Sequence, residues 1–137
     1  MDIKTFPLEF HRQHNDRYLV SVTLADMVAV MGGPVSVFYT NNMEAGAVAG
    51  HHYHEQKCEA LMSADGLFEV LLVDTITRER LKMYLDSVPG SPHFRGIIVP
   101  PLVAHAVRNV SSHNGRLNVF ATGVPRRVDD VHFLVSA

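Results

Sequence analysis

The chain has 137 residues, 47% of them hydrophobic and 19% charged, which is too apolar for a disordered protein and long enough to bury a core. A net charge of -2 gives no basis for nucleic acid as a partner. The single cysteine, Cys58, excludes an internal disulfide, and no stretch is apolar over enough residues to span a membrane. The start, MDIKTFPLEFHRQHNDR, lacks the apolar centre of a signal peptide, so a cytoplasmic protein is expected.

Phe6, Leu8 and Phe10 alternate around Pro7, a pattern that an edge strand tolerates. Residues 18–24 (YLVSVTL) read as a strand, and residues 25–31 (ADMVAVM) fit either a short helix or more sheet before Gly32-Gly33-Pro34 breaks them. Residues 35–40 (VSVFYT) form the next strand, with Asn41-Asn42 as its turn. Residues 47–53 lead into a group of histidines. Residues 59–64 are another strand, Asp65-Gly66 reads as a hairpin turn, and residues 67–73 (LFEVLLV) return.

In residues 78–86, Leu81, Met83 and Leu85 alternate with polar positions as in a half-buried strand, between turn signals at Asp74-Thr75 and Pro89-Gly90. Strands follow over 96–99, 104–110 and 117–121, with His113-Asn114-Gly115 as a turn, and the tail alternates at Val131, Phe133 and Val135. Many short strands with closely spaced turns and little helix imply an all-β jelly roll or small barrel, a single domain over residues 1–137.

Nine histidines are many for this length, and His51, His52 and His54 fall within four positions. In a strand, residues two apart share a face, so His52 and His54 project together into one interior. A tight turn over Glu55, Gln56 and Lys57 brings Glu59 to the same space, and His105 offers a fourth donor. Three imidazoles and a carboxylate suit a divalent ion such as Zn, Fe, Mn or Ni. The same residues also suit a metal-free polar cavity whose histidines act as acid and base. His51 is expected on the opposite face, in solvent, and Cys58 packed away from the interior. Arg78, Arg80 and Lys82 read as a solvated strand face. Lys57 is placed either to reach a phosphate or in a solvated turn; Arg95 and Arg108 either hold a pyrophosphate or pair on the surface.

The histidine stretch resembles the first motif of the cupin family: Gly46, His52, His54, Glu59 and Gly66 occupy each of its positions. The second cupin motif is matched at Pro100, His105 and Asn109, but Leu102 replaces its inner glycine and Gly96 lies too close to Pro100 for the first. Within the family, GHHYHEQKCEAL is similar to a segment in the C-terminal cupin of capsular-polysaccharide sugar-nucleotide reductases. VPPLVAHAVRNVSS is similar to one shared with sugar-nucleotide 3,4-ketoisomerases. Val37-Phe38-Tyr39 and Val128-Asp129-Asp130-Val131 also sit where such proteins carry similar segments.

The resemblance implies the cupin double-stranded β-helix, a homodimer, and action on a nucleotide-linked 4-keto-deoxyhexose by proton transfer beside the ketone. His52 and His54 are then ligands or bases, with Tyr39 or Tyr53 as the acid, although Tyr53 alternates away from the two histidines. Asp74 sits in a segment similar to that of the aspartate that 3,5-epimerases pair with their histidine. The tyrosine that those epimerases carry after the last long strand is missing, since the chain reads Ala121-Thr122-Gly123-Val124-Pro125 there. The alternatives are a metal-dependent cupin oxygenase or other small-molecule enzyme, and a non-catalytic cupin that binds a sugar or signal.

Overall fold

The computed structural model describes residues 1–6, 8–13, 17–123 and 130–136, so the resemblance at Val128-Asp129 lies outside the described residues. Among the described residues, eleven strands and one helix follow in order: β1 (Leu8–Gln13), β2 (Arg17–Val22), α1 (Leu24–Met31), β3 (Val35–Met43), β4 (Val48–His54), β5 (Glu59–Asp65), β6 (Leu67–Asp74), β7 (Arg80–Asp86), β8 (Gly96–Val99), β9 (Val103–Asn109), β10 (Gly115–Thr122) and β11 (Asp130–His132). β1 and β2 make a separate antiparallel pair. The others form two antiparallel sheets, ordered β3-β10-β5-β8 and β11-β4-β9-β6-β7.

From β3 onward the chain changes sheet at every connection except β6 to β7. This is why Asp65-Gly66 is not the hairpin turn its residues suggest: β5 and β6 lie in different sheets, and the two residues turn the corner between them. Gly66 is required there, with a φ of 110° and with Ser111 Oγ 2.9 Å from where a Cβ would stand. Asn41-Asn42 also differ from the sequence reading. They continue β3 opposite Leu117 and Arg116 of β10, because cross-strand pairing outweighs the weak strand preference of asparagine. Residues 25–31 resolve as helix. Met27 and Met31, one turn apart, are buried, and Gly32 ends the helix in the left-handed conformation. At eight residues, α1 is far too short to cross a membrane, and no other helix among the described residues could.

The core follows the two-residue period of the strands. Phe68, Val70 and Leu72 of β6 and Leu117 and Val119 of β10 point between the sheets, joined by Leu61, Leu85, Ile97, Val99 and Val107. Phe6, Met27, Met31, Cys58, Ala60 and Ile98 form a second cluster under the helix. Asn109 is fully buried and closes the end of the barrel: its Nδ2 donates to the carbonyls of Met43 and His113, and its Oδ1 accepts the N–H of Ser111. Its place in the second motif is therefore structural.

Candidate active site

β4 reaches its alternation through a bulge between Gly50 and His52. Gly50 has a φ of 100°, and a Cβ there would stand 2.6 Å from the His105 carbonyl oxygen, so only glycine fits. His51 follows at φ 58°. Beyond the bulge, His52 pairs with His105 of β9, and His52 and His54 face the same interior. Glu59 begins β5 on the facing sheet. Donor atoms of His52, His54, Glu59 and His105 all lie within 4.8 Å of one another.

The contacts in this cluster are close. His54 Nε2 is 2.6 Å from Glu59 Oε1, and His105 Nε2 is 3.2 Å from the same oxygen. Burial pushes the Glu59 carboxyl up, but hydrogen bonds with His105 and His54 outweigh it and hold the group well below the ordinary carboxylate range. Burial, with the neighbouring imidazoles of His105 and His54, pushes the His52 ring down to about 4. His52 is thus neutral near pH 7. Its ring lies 4.7 Å from that of His105 and 4.8 Å from that of His54, centre to centre.

Asp130 was missed as a site residue. β11 pairs it with His54, and its Oδ1 lies 2.8 Å from His54 Nδ1 and 3.7 Å from Lys57 Nζ. The sequence offered Asp130 only within the Val128-Asp129-Asp130-Val131 resemblance and at the start of the alternating tail; the pairing partner of that tail is a tertiary fact. Asp130, Lys57 and Tyr39 line the same cavity of about 650 Å³ as the histidines, with an apolar wall that includes Val37, Leu61, Val107, Leu117 and Val119.

The donor set fits a divalent cation. His54 Nδ1 faces Asp130, and His105 Nδ1 faces the Val103 carbonyl at 3.3 Å. Each neutral ring that donates through Nδ1 turns the Nε2 lone pair toward a Glu59 oxygen. A divalent ion among them, or a proton on each ring, satisfies that convergence.

Other sequence candidates lie elsewhere. Asp74 caps the β6–β7 turn: its Oδ1 accepts the N–H groups of Ile76 and Thr77 at 2.9 and 3.1 Å, and these hold its carboxyl below the ordinary range. Arg95 Nη1 donates to the Ser87 carbonyl at 2.9 Å, and Arg108 is exposed on β9; neither lines the cavity. His51 is half-buried rather than solvated, because the bulge turns its ring beneath residue 135, whose N–H it accepts. Lys57 belongs to the cavity wall and not to a solvated turn.

Comparison with known proteins gives no matching family model and no matching curated sequence. Solved structures do match. A 3,4-ketoisomerase from Helicobacter canadensis aligns with a TM-score of 0.74 at 17% identity, over 96% of this chain and 90% of that one. The sugar 3,4-ketoisomerase QdtA from Thermoanaerobacterium thermosaccharolyticum, solved with TDP, aligns with a TM-score of 0.71 at 16% identity, over 95% and 85%. A dTDP-6-deoxy-D-glucose-3,5-epimerase from Legionella pneumophila, solved with dTDP-4-keto-L-rhamnose, gives 0.74 at 12% identity, over 96% and 76%. The chain has the cupin fold of these sugar-nucleotide ketoisomerases and epimerases.

Proposed function

We propose that the protein is an isomerase or epimerase of a nucleotide-linked 4-keto-deoxyhexose, acting by proton transfer beside the ketone. The observation that carries this reading is the arrangement of the cavity. A neutral histidine, His52, enters from β4 in one sheet, and a tyrosine, Tyr39, enters from β3 in the other. A sugar ring held between them meets a base on one face and an acid on the opposite face.

In this mechanism His52 takes the proton from the carbon beside the keto group. The C–H electron pair moves into the ring as the carbonyl becomes an enolate. Lys57 provides the donor near the developing oxyanion, and the His54 ring, fixed through both nitrogens by Glu59 and Asp130, walls the cavity beside it. A proton returned from Tyr39 to the far face inverts the centre. A proton passed from one oxygen of the enediolate to the other, where it stays as the new hydroxyl, with a second proton delivered to the other carbon by His52 or Tyr39, moves the carbonyl instead. Proton exchange with solvent restores His52 and Tyr39. Were a divalent ion bound, His52, His54, Glu59 and His105 would hold it and it would supply Lewis acidity toward the ketone; His52 would then be a ligand and not the base. A homodimer and a cytoplasmic location belong to the same reading.

The test is incubation with dTDP- or UDP-linked 4-keto-deoxyhexoses in heavy water. The expected result is deuterium at a ring carbon beside the ketone, lost in His52→Asn. No incorporation with any of these sugars removes the reading, and tight binding without exchange identifies a binding protein instead.

A metal-dependent enzyme is the second reading, favoured by the four donor atoms within 4.8 Å. Elemental analysis of the purified protein, with metal-induced thermal stabilisation in wild type and His52→Ala, tests it. No bound metal, together with equal responses in the two proteins, removes it.

A further inference from the structure

The C-terminal strand does more than cover an edge, because it carries Asp130 into the site. Two of its hydrogen bonds to the barrel converge on one residue. Beyond the pairing of Asp130, Val131 and His132 with His54, Tyr53 and His52, the Phe133 N–H donates to the His51 carbonyl at 2.9 Å. The Val135 N–H donates to His51 Nδ1 at 3.1 Å. His51 can receive both only because the bulge sets its backbone at φ 58°, which turns carbonyl and ring toward the tail. Val135 is then buried against Val73, Ala104 and Ala106, Phe133 packs edge-on to Tyr53, and Arg80 Nη1 donates to the Ser136 carbonyl.

We infer that His51 is a positioning residue: it fixes the register of the C-terminal strand and thereby holds Asp130 against His54. Register matters here because a slip of one residue turns every side chain of a strand to the other face. Such a slip would take Asp130 out of the cavity and away from His54 Nδ1. His51 itself does not line the cavity, so the effect of its ring runs through Asp130.

The test compares His51→Gly, His51→Asn, Asp130→Asn and a chain ending at His132. Glycine accepts the left-handed backbone but removes the ring. Asparagine accepts it as well and places an amide oxygen near the position of Nδ1. The primary readout is the pair of His54 ring nitrogen resonances in chelator-treated protein, which needs no substrate. The expected outcome is that His51→Gly and the shortened chain move these resonances as Asp130→Asn does, and that His51→Asn keeps the wild-type values. Wild-type resonances in His51→Gly, or a His51→Asn spectrum equal to that of His51→Gly, would overturn the inference.

The kinetic arm alone rests on the proposed isomerase reading. There His51→Gly should lower kcat on the order of 10- to 100-fold with KM within about twofold, and adding it to Asp130→Asn should cost nothing more. If no sugar is turned over, the isomerase reading fails while the resonances still decide the role of His51.

Discussion

At the residue scale, two histidines two positions apart and a glutamate after a short turn were legible, because a strand puts alternate residues on one face whatever its partners are. What each side chain does there was not legible, since that depends on neighbours brought from distant strands. His52 lies in a half-buried position beside the His105 and His54 rings, and this pushes it down to about 4 from an ordinary histidine value near 6.5. The linkage has a definite sign. Between about pH 4 and 6.5 the unfolded chain binds a proton at this position and the folded chain does not, so folding stability falls as pH drops through that window. Glu59, held below its ordinary value, adds a further loss as pH falls below the usual carboxylate range. The melting temperature of the metal-free protein should therefore decline from pH 6.5 to 4, and His52→Asn should flatten that part of the curve. A profile identical in the two proteins over this window would show that His52 is not buried in its neutral form.

At the scale of elements, the strands were legible wherever inward side chains alternate, as in β6, β7 and β10. The connections were not. Asp65-Gly66 has the residues of a hairpin, yet a jelly roll sends successive strands to opposite sheets, and that choice rests on packing of the whole barrel. The β8–β9 connection shows the converse case, in which backbone shape persists without its usual residue. Leu102 replaces the inner glycine of the second motif but retains a φ of 68°. Its N–H donates to the His54 carbonyl at 2.8 Å, and its carbonyl accepts the N–H and hydroxyl of Thr75 at 3.1 and 2.7 Å. These bonds tie the loop to the end of β4 and hold a non-glycine residue in a conformation that costs roughly 1–2 kcal/mol. Leu102→Ala and Leu102→Gly both remove the half-buried side chain, and only glycine also relieves the backbone. Leu102→Gly should be more stable than Leu102→Ala by about 1 kcal/mol in urea unfolding, the reverse of the usual order in strands and helices. Equal midpoints for the two variants would mean that the loop relaxes out of the left-handed region.

At the scale of the whole molecule, the space between the sheets is filled at one end and open at the other. Val70 and Phe68 pack in the filled end with no exposure. Val119 is buried as well, at 2% exposure, yet its side chain borders the cavity of about 650 Å³ that His52 and Tyr39 flank. This division was not legible in the sequence, because Val70 and Val119 both appear simply as inward valines of strands. It makes a paired prediction. Val70→Phe adds a ring where no space exists and should cost about 1–3 kcal/mol. Val119→Phe projects the same ring into open cavity and should change stability by less than about 1 kcal/mol, since overpacking strain is avoided. It should also remove deuterium exchange into a 4-keto sugar, because the ring occupies the space between base and acid. Denaturant midpoints and exchange measured on both variants separate the two ends of the barrel. If Val119→Phe is as unstable as Val70→Phe, the cavity is not open at that position. If it is stable and exchange persists, the sugar binds elsewhere than between His52 and Tyr39.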